Sequence, residues 1–497
     1  MTTIIKDGYV LGPDSDELVQ ADVLIENDRI SAVGAGLEYP ADADVVHASG
    51  KIVLPGLINA HTHGPNNLTK GCGDNWTLED QLNHSPALSS GRTPQDRYVS
   101  AAIGAVEMLK SGCTAAYDLF MTLPAPTNDG IEAVVRAYSD VGLRAVLAPA
   151  VADIVFYETV PELMDLLPDD LRKQVESMET APTDALLQMM EQHIRDWDGA
   201  ANGRIRAAVA PTIPGQATDE LLEGCGRLVR EYGVGLHTHL AETKIQVIYG
   251  LNRWGMTPTA KLAELGLLSR GFVGAHGVWL TPEDIGLLAS SGSSIAHNPA
   301  SNLKLGSGIA PVREMLDANL NVGLGSDGST SSDNQNLFGA MHFAGMVGNV
   351  RFPHDTSKWI GSRDVWDMVT RGSAQTLGMA EDIGAIAPGR KADIILLDAN
   401  SVYLRPLNDP LNALVYAETG ASVESVFVDG RLVMKDGAVL TVDEDALRLQ
   451  AQEAADRLRV ENAHLWKFAE IMSPYVSAAC KSAAAVPYPI DRYAAGS

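Results

Sequence analysis

The sequence predicts an α/β chain: a closed (β/α)8 (TIM) barrel carrying a small β-sandwich domain made from its N- and C-terminal flanks. Three observations predict it. Between residues 56 and 330, eight short runs of apolar, β-branched or small residues alternate with segments of helical spacing. Polar residues collect at the C-terminal tips of these runs, the rim on which such a barrel builds its active site. The stretches on either side, 4–54 and 390–440, read as short strands with DG turns, and neither is large enough for a core of its own.

In chain order, residues 1–55 (for example ADVLIENDRISAVG) supply the first part of the sandwich and 385–442 (RKADIILLD, VESVFVDGRLVMKDGAVL) the second, with the barrel spanning 56–384 between them. The barrel strands are read at 56–63, 112–119, 143–151, 205–213, 233–241, 272–278, 293–301 and 321–329. Helices such as PQDRYVSAAIGAVEMLKSG and TDELLEGCGRLVREYG lie between them, with apolar residues at spacings of three and four and a closing glycine. Alternating strands and helices argue for a parallel sheet, and eight units argue for closure; an open doubly wound sheet would spread the polar tips along a line. Residues 152–204 are longer than a crossover requires; part reads as the barrel helix, and the rest could cover the mouth. The segment 443–497 reads as an amphipathic helix over 443–467 followed by an extended arm, packing on the barrel or on a second subunit.

Composition narrows the function. The 497 residues carry a net charge of −26, which disfavours nucleic acid and anionic membranes as partners, and no basic stripe offsets it. No run of eighteen apolar residues and no signal-like N-terminus is present, so a cytoplasmic protein is expected. Cys72, Cys113, Cys225 and Cys480 form no C-x-x-C pair and read as reduced packing residues.

The chemistry starts at LINAHTH, where His61 and His63, two apart on a strand, face the same space. Other tips add Asp118, His237 and His239, His276, His297 with Asn298, and Asp327. Three His or carboxylate ligands with one position left for water is the usual catalytic zinc arrangement. His239 lies nearer the rim than His237, which is expected one layer lower. Glu242, just past the strand in HLAET, could move a proton to a substrate nitrogen or merely begin a helix. His276 reads as ligand, base or core residue, and Asp327 as ligand and base or as an N-cap. One rim holding all of them makes the chemical readings cohere.

The series HTH, HLAET, GAH, HNPASNLKLGSG and GSDGSTSSDNQNLF resembles the metal-dependent amidohydrolase superfamily, in its branch of S-adenosylhomocysteine deaminases, guanine deaminases and triazine hydrolases. The resemblance runs from VLPGLINAHTH to GRKADIILLD. It implies one divalent metal ion, Zn2+ by default with Fe2+ as the alternative, held by His61, His63, His239 and Asp327. It further implies Glu242 as the acid that protonates a ring nitrogen, with His276 and Asp327 orienting and deprotonating the attacking water. Relatives with two metals use a modified lysine at the fourth strand; here that tip reads APTIPG and no lysine lies between Lys173 and Lys244, so one metal is implied.

For substrate contacts, the loop after the first strand offers Asn66, Asn67, Trp76, Gln81 and His84. Trp76 could stack on a planar heterocycle or hold the loop to the barrel. Asn298 and Asn302 could bond the ring or the water, or form Asx turns. The expected enzyme is a hydrolytic deaminase of an amino-substituted N-heterocycle of purine, pterin or s-triazine type, working as a homo-oligomer (dimer or higher). A dehalogenase or ring-opening amidohydrolase keeps the site and changes the leaving group; a metal-bound scaffold without turnover is the reading from another class.

Overall fold

The computed structural model describes residues 2–122 and 125–493. Its centre is a ring of eight parallel strands: β1 (Leu57–Thr62), β2 (Cys113–Met121), β3 (Arg144–Val151), β4 (Ile205–Pro211), β5 (Gly235–Leu240), β6 (Phe272–His276), β7 (Ser294–His297) and β8 (Asn321–Leu324). Each pairs with the next in sequence order. The ring closes just past β8, where the Asp327 amide donates to the His61 carbonyl at 2.9 Å and the Ser326 amide to Asn59 Oδ1 at 3.1 Å. All eight runs read from the sequence are therefore barrel strands, because each is apolar on both faces, as a strand between packed side chains and helices must be.

The helices begin and end where their sequence says. Pro94–Lys110 starts with a capping box between Thr93 and Asp96. Asn128–Val141, Asp219–Tyr232 and Pro282–Ser291 stop at Gly142, Gly233 and Gly292, all left-handed. Small side chains, among them Ala60, Ala115, Ala148, Ala208 and Ala296, fill the barrel interior around Tyr117, which meets the His237 ring edge-on at 4.4 Å.

The flanks join in one mixed sheet of nine strands. Lys51–Pro55 lies between Thr2–Leu11 and Ile394–Asp398, so both ends of the chain contribute. The sheet curls until Gly430 packs on Asn27, enclosing Ile5, Val23, Ile25, Ile394, Leu396 and Phe427. It sits at the amino-terminal end of the barrel, away from the mouth: the guanidinium of Arg144, first residue of β3, bridges the carboxylates of Asp393 and Asp429 at 3.0 Å.

The tail departs from its sequence reading. In place of one helix over 443–467 there are two, Glu444–Glu461 and Ala463–Ala485. Asn462 marks the break, its Nδ2 donating to the carbonyls of Ala87 and Ser90. The second helix continues through Pro474, although an interior proline costs about 3 kcal/mol. Burial of Met472, Val476, Ala479 and Ala483 offsets it, each larger side chain contributing about 1.5–3 kcal/mol. Their partners are Tyr157, Val160, Leu163, Leu167 and Val175 of the long β3–β4 segment. Within that segment Thr183–Trp197 is the barrel helix, while Phe156–Thr159, Leu163–Leu166 and Asp169–Glu176 are short turns of helix held against the tail. The arm lies on the barrel: Arg492 exchanges hydrogen bonds with Leu280 and Ile309, and Tyr493 packs edge-on against Trp279.

Candidate metal centre and active site

Four imidazoles and two carboxylates converge at the mouth. His61 and His63 come from the end of β1, His239 from β5, Glu242 from the turn after it, His276 from β6, and Asp327 from just beyond β8. All are buried, none more than 6% exposed. Asp327 Oδ1 lies 3.2 Å from His63 Nε2 and 3.5 Å from His61 Nε2, while its Oδ2 lies 3.9 Å from His276 Nε2. His276 Nε2 is in turn 3.6 Å from Glu242 Oε2. His276 and Asp327 both hold left-handed backbone, φ 74° and 62°. For a histidine that conformation is strained, and it turns the side chain back over the barrel mouth.

The imidazoles are arranged for a cation. His63 Nδ1 lies 2.6 Å from the Leu119 carbonyl and His239 Nδ1 2.6 Å from the Thr212 carbonyl. A carbonyl only accepts, so each Nδ1 carries the proton and each Nε2 presents a lone pair. Those two lone pairs face each other at 3.2 Å, which is repulsive unless a positive charge lies between or beside them. Ligand atoms of His61, His63 and His239 lie within 4.8 Å of one another, as do those of His61, His276 and Asp327. Neither ring nitrogen of His61 has a hydrogen-bond partner, and burial pushes its pKa down to about 3, the neutral form a metal requires. Burial also pulls His63 down, but the Asp327 carboxylate overrides it and raises the pKa: positive charge is favoured at this spot. Burial opposes ionisation of Asp327, yet His61 and His63 hold its carboxyl well below the usual range. The donor set fits one divalent ion, and among the described residues β4 ends in no side chain that could bridge a second.

Glu242 contrasts with Asp327. Neither of its oxygens has a hydrogen-bond partner, and burial, reinforced by the charges of Asp327 and Glu79, raises its pKa well above the usual range. The mouth thus pushes its two carboxyls in opposite directions, Glu242 toward the protonated form and Asp327 toward the ionised one, the division that acid–base work needs. The Asn302 side-chain oxygen accepts from His276 Nδ1 at 2.8 Å, leaving Nε2 free to accept.

A cavity of about 40 Å³ opens on these groups, lined by His63, Asn66, Gln81, His239, Glu242, His276 and Asp327 among others. Gln81 reaches it with an unpartnered carbonyl oxygen. Other sequence candidates lie elsewhere. Trp76 and His84 stack on each other at 4.2 Å beside Trp466 of the tail, an aromatic cluster that holds the loop and leaves neither ring on the cavity wall. Asn298 is fully buried against Gly325, where a Cβ would come within 2.3 Å of its Oδ1. Asn302 is spent on His276, and Asn67 on Gly64 and Ser329. Asp118 accepts from the Gly64 amide and Tyr138 hydroxyl, both at 2.9 Å, and so anchors the loop after β1. His237 lies one layer below His239, its ring tilted 5.0 Å from that of His61, and His297 is buried at the end of β7.

Sequence reasoning passed over Asn59 and Gln335. Asn59 ties β1 to Ser326; Gln335 bonds Thr62, Ser326 and the Asp327 carbonyl, fixing the backbone that presents the carboxylate. Asn59 carries a signal, a polar residue two before His61 on the same strand face. Gln335 carries none, and the carbonyls of Leu119 and Thr212 have no side-chain signature at all.

A parallel eight-stranded barrel with buried histidines, an aspartate and a glutamate converging at its C-terminal mouth defines a metal-binding hydrolase. Residues 52–433 match the amidohydrolase family, and the chain belongs to that family. It is 31% identical over 460 residues to the 5′-deoxyadenosine deaminase of Methanobrevibacter smithii, covering 92% of this chain and 98% of that one. It is 34% identical over 435 residues to the 5-methylthioadenosine/S-adenosylhomocysteine deaminase of Thermococcus sibiricus, covering 87% and 94%. Among solved structures it resembles an adenosine deaminase from Xanthomonas campestris with bound zinc (TM-score 0.81, 25% identity, 92% and 98% covered). It also resembles the zinc complex of atrazine chlorohydrolase from Arthrobacter aurescens (TM-score 0.81, 28% identity, 91% and 100% covered).

Proposed function

We propose that the protein is a hydrolytic deaminase that replaces the amino group of a purine, pterin or s-triazine type heterocycle with oxygen taken from water. The observation that carries this is Glu242: a fully buried, unpartnered carboxyl, its pKa raised by that burial, within 3.6 Å of His276 at a mouth suited to a cation. Held by His61, His63, His239 and Asp327, a divalent ion, zinc first and iron second, would acidify a water and so provide the nucleophile.

The chain's own residues do the rest. Asp327 and the free Nε2 of His276 face the same space, and between them they orient the water and accept its proton. Glu242 donates to the ring nitrogen next to the carbon under attack, where negative charge would otherwise build up. The new C–O bond forms, the C–N bond breaks, and the amino nitrogen leaves as ammonia with a proton relayed from these acids. Gln81 and Asn66, on the wall, supply hydrogen bonds to the ring. Working deaminases need a donor as well as an acceptor because an unprotonated amide ion does not leave; Glu242 and Asp327, their pKa values pushed in opposite directions, fill the two roles.

The test is elemental analysis of the purified protein followed by ammonia and chloride assays on purine, pterin and triazine substrates. Metal at about one equivalent with ammonia release is expected. Chloride release in its place would make the protein a dehalogenase, and metal-loaded protein inert on the whole panel would end the reading. Among the described residues no helix is long and apolar enough to cross a membrane; a cytoplasmic homo-oligomer remains part of the proposal.

A further inference from the structure

The metal-side cavity, at about 40 Å³, has room for only a few waters, at roughly 10–15 Å³ each. It does not end there. A second chamber of about 360 Å³ adjoins it, and Leu82, Ser85, Met121 and Thr212 border both. The far walls come from Val151–Thr180: Ile154, Val155, Phe156, Tyr157 and Met178, with Leu186 behind. Among the described residues no lysine, arginine or histidine lines it, and Glu179 is its one charged residue.

These walls are built. Tyr157 Oη donates to Asn83 Oδ1 at 2.9 Å, and Asn83 Nδ2 donates to the Ala469 carbonyl at 2.9 Å, so the loop after β1, the β3–β4 segment and the tail helix are fastened at one point. Asn83 is 1% exposed. The chamber is therefore walled mainly by apolar side chains that are fastened in place, and Leu82, Ser85, Met121 and Thr212 join it to the metal-side cavity.

We propose that this chamber receives an apolar substituent of the heterocyclic substrate, an alkyl, aryl or thioether group, and that it discriminates against the same heterocycle bearing a zwitterionic amino-acid tail. The inference rests on the deaminase reading for the placement of the ring. A carboxylate entering the chamber would lose its water and find no cation, with Glu179 repelling it, whereas a methylthio or benzyl group exchanges water for Phe156, Val155 and Met178. The β3–β4 segment thus acts as the wall that chooses the substituent.

Metal-loaded protein is compared on adenosines carrying a 5′-methylthio or a 5′-homocysteinyl group, by kcat/KM for ammonia release. Calorimetric Kd values for the corresponding inosine products are measured in parallel. A preference of about 10-fold or more for the thioether in both readouts is expected. Met178→Arg, which places a cation in the chamber, should reduce that preference at least several-fold through tighter binding of the homocysteinyl compound. Equal or better handling of the homocysteinyl compound by the unaltered protein overturns the proposal, as does failure of both compounds to bind. Thioether-selective binding without ammonia release supports the chamber and removes the deaminase reading, so the two fail separately.

Discussion

In the proposed mechanism, residues at the mouth separate into those that would hold the cation, those that would move protons and those that only aim another side chain. His61→Ala removes an unpartnered buried imidazole proposed as a ligand, and metal content and turnover should fall together, read by elemental analysis beside the ammonia assay. Glu242→Gln keeps size and polarity but cannot donate an acidic proton; metal should stay bound while turnover drops about 10²-fold or more. Unchanged turnover in that variant would take Glu242 out of the mechanism. Asn302→Ala touches neither metal nor substrate, yet it frees His276 to rotate and to change which nitrogen carries the proton. A fall in kcat of about 10-fold or more with metal content and KM unchanged is the expected signature, the range for losing a partner that orients a functional histidine.

At the level of elements, the loop after β1 is held by Asp118, whose buried carboxyl has its pKa pushed up to about 6 by desolvation. The unfolded chain ionises near 3.8, so between about pH 4 and 6 the folded protein binds the extra proton and this group's contribution to stability declines as pH rises. Asp118→Asn removes the titration. The wild-type-minus-variant difference in unfolding free energy, from denaturant titrations at a series of pH values, should become less favourable to wild type from pH 4 to 6. It should then level off, with a total change on the order of 3 kcal/mol. A difference that does not vary with pH would show that Asp118 stays ionised in the fold. The tail helix shows how packing overrides a local signal: an interior proline such as Pro474 ordinarily kinks or ends a helix, but the apolar face offered by Tyr157, Leu163 and Val175 carries the helix through it.

Over the whole molecule, the sheet and the metal mouth occupy opposite ends of the barrel, and the junction between sheet and barrel is ionic. Arg144 is buried with Asp393 and Asp429, and Lys391 adds a contact to Asp429 at 3.2 Å. Removing one partner of such a group leaves an uncompensated buried charge, so Asp393→Ala should cost about 3–5 kcal/mol in a denaturant titration. Because the mouth is remote, kcat and metal content of the folded fraction should change little; a large loss of either would mean that the junction shapes the site. The same separation explains what could be read without coordinates. Eight apolar runs with polar tips, the HTH pairs and the closing glycines state their local geometry through periods of two and 3.6, so the barrel and the gathering of His61, His63, His239, His276 and Asp327 at its mouth were legible. Proximity between distant segments has no period. That Trp76 and His84 turn to Trp466 and not to the cavity, that Asn302 faces His276, and that the β3–β4 segment walls an apolar chamber were decided only when long-range packing brought those surfaces together.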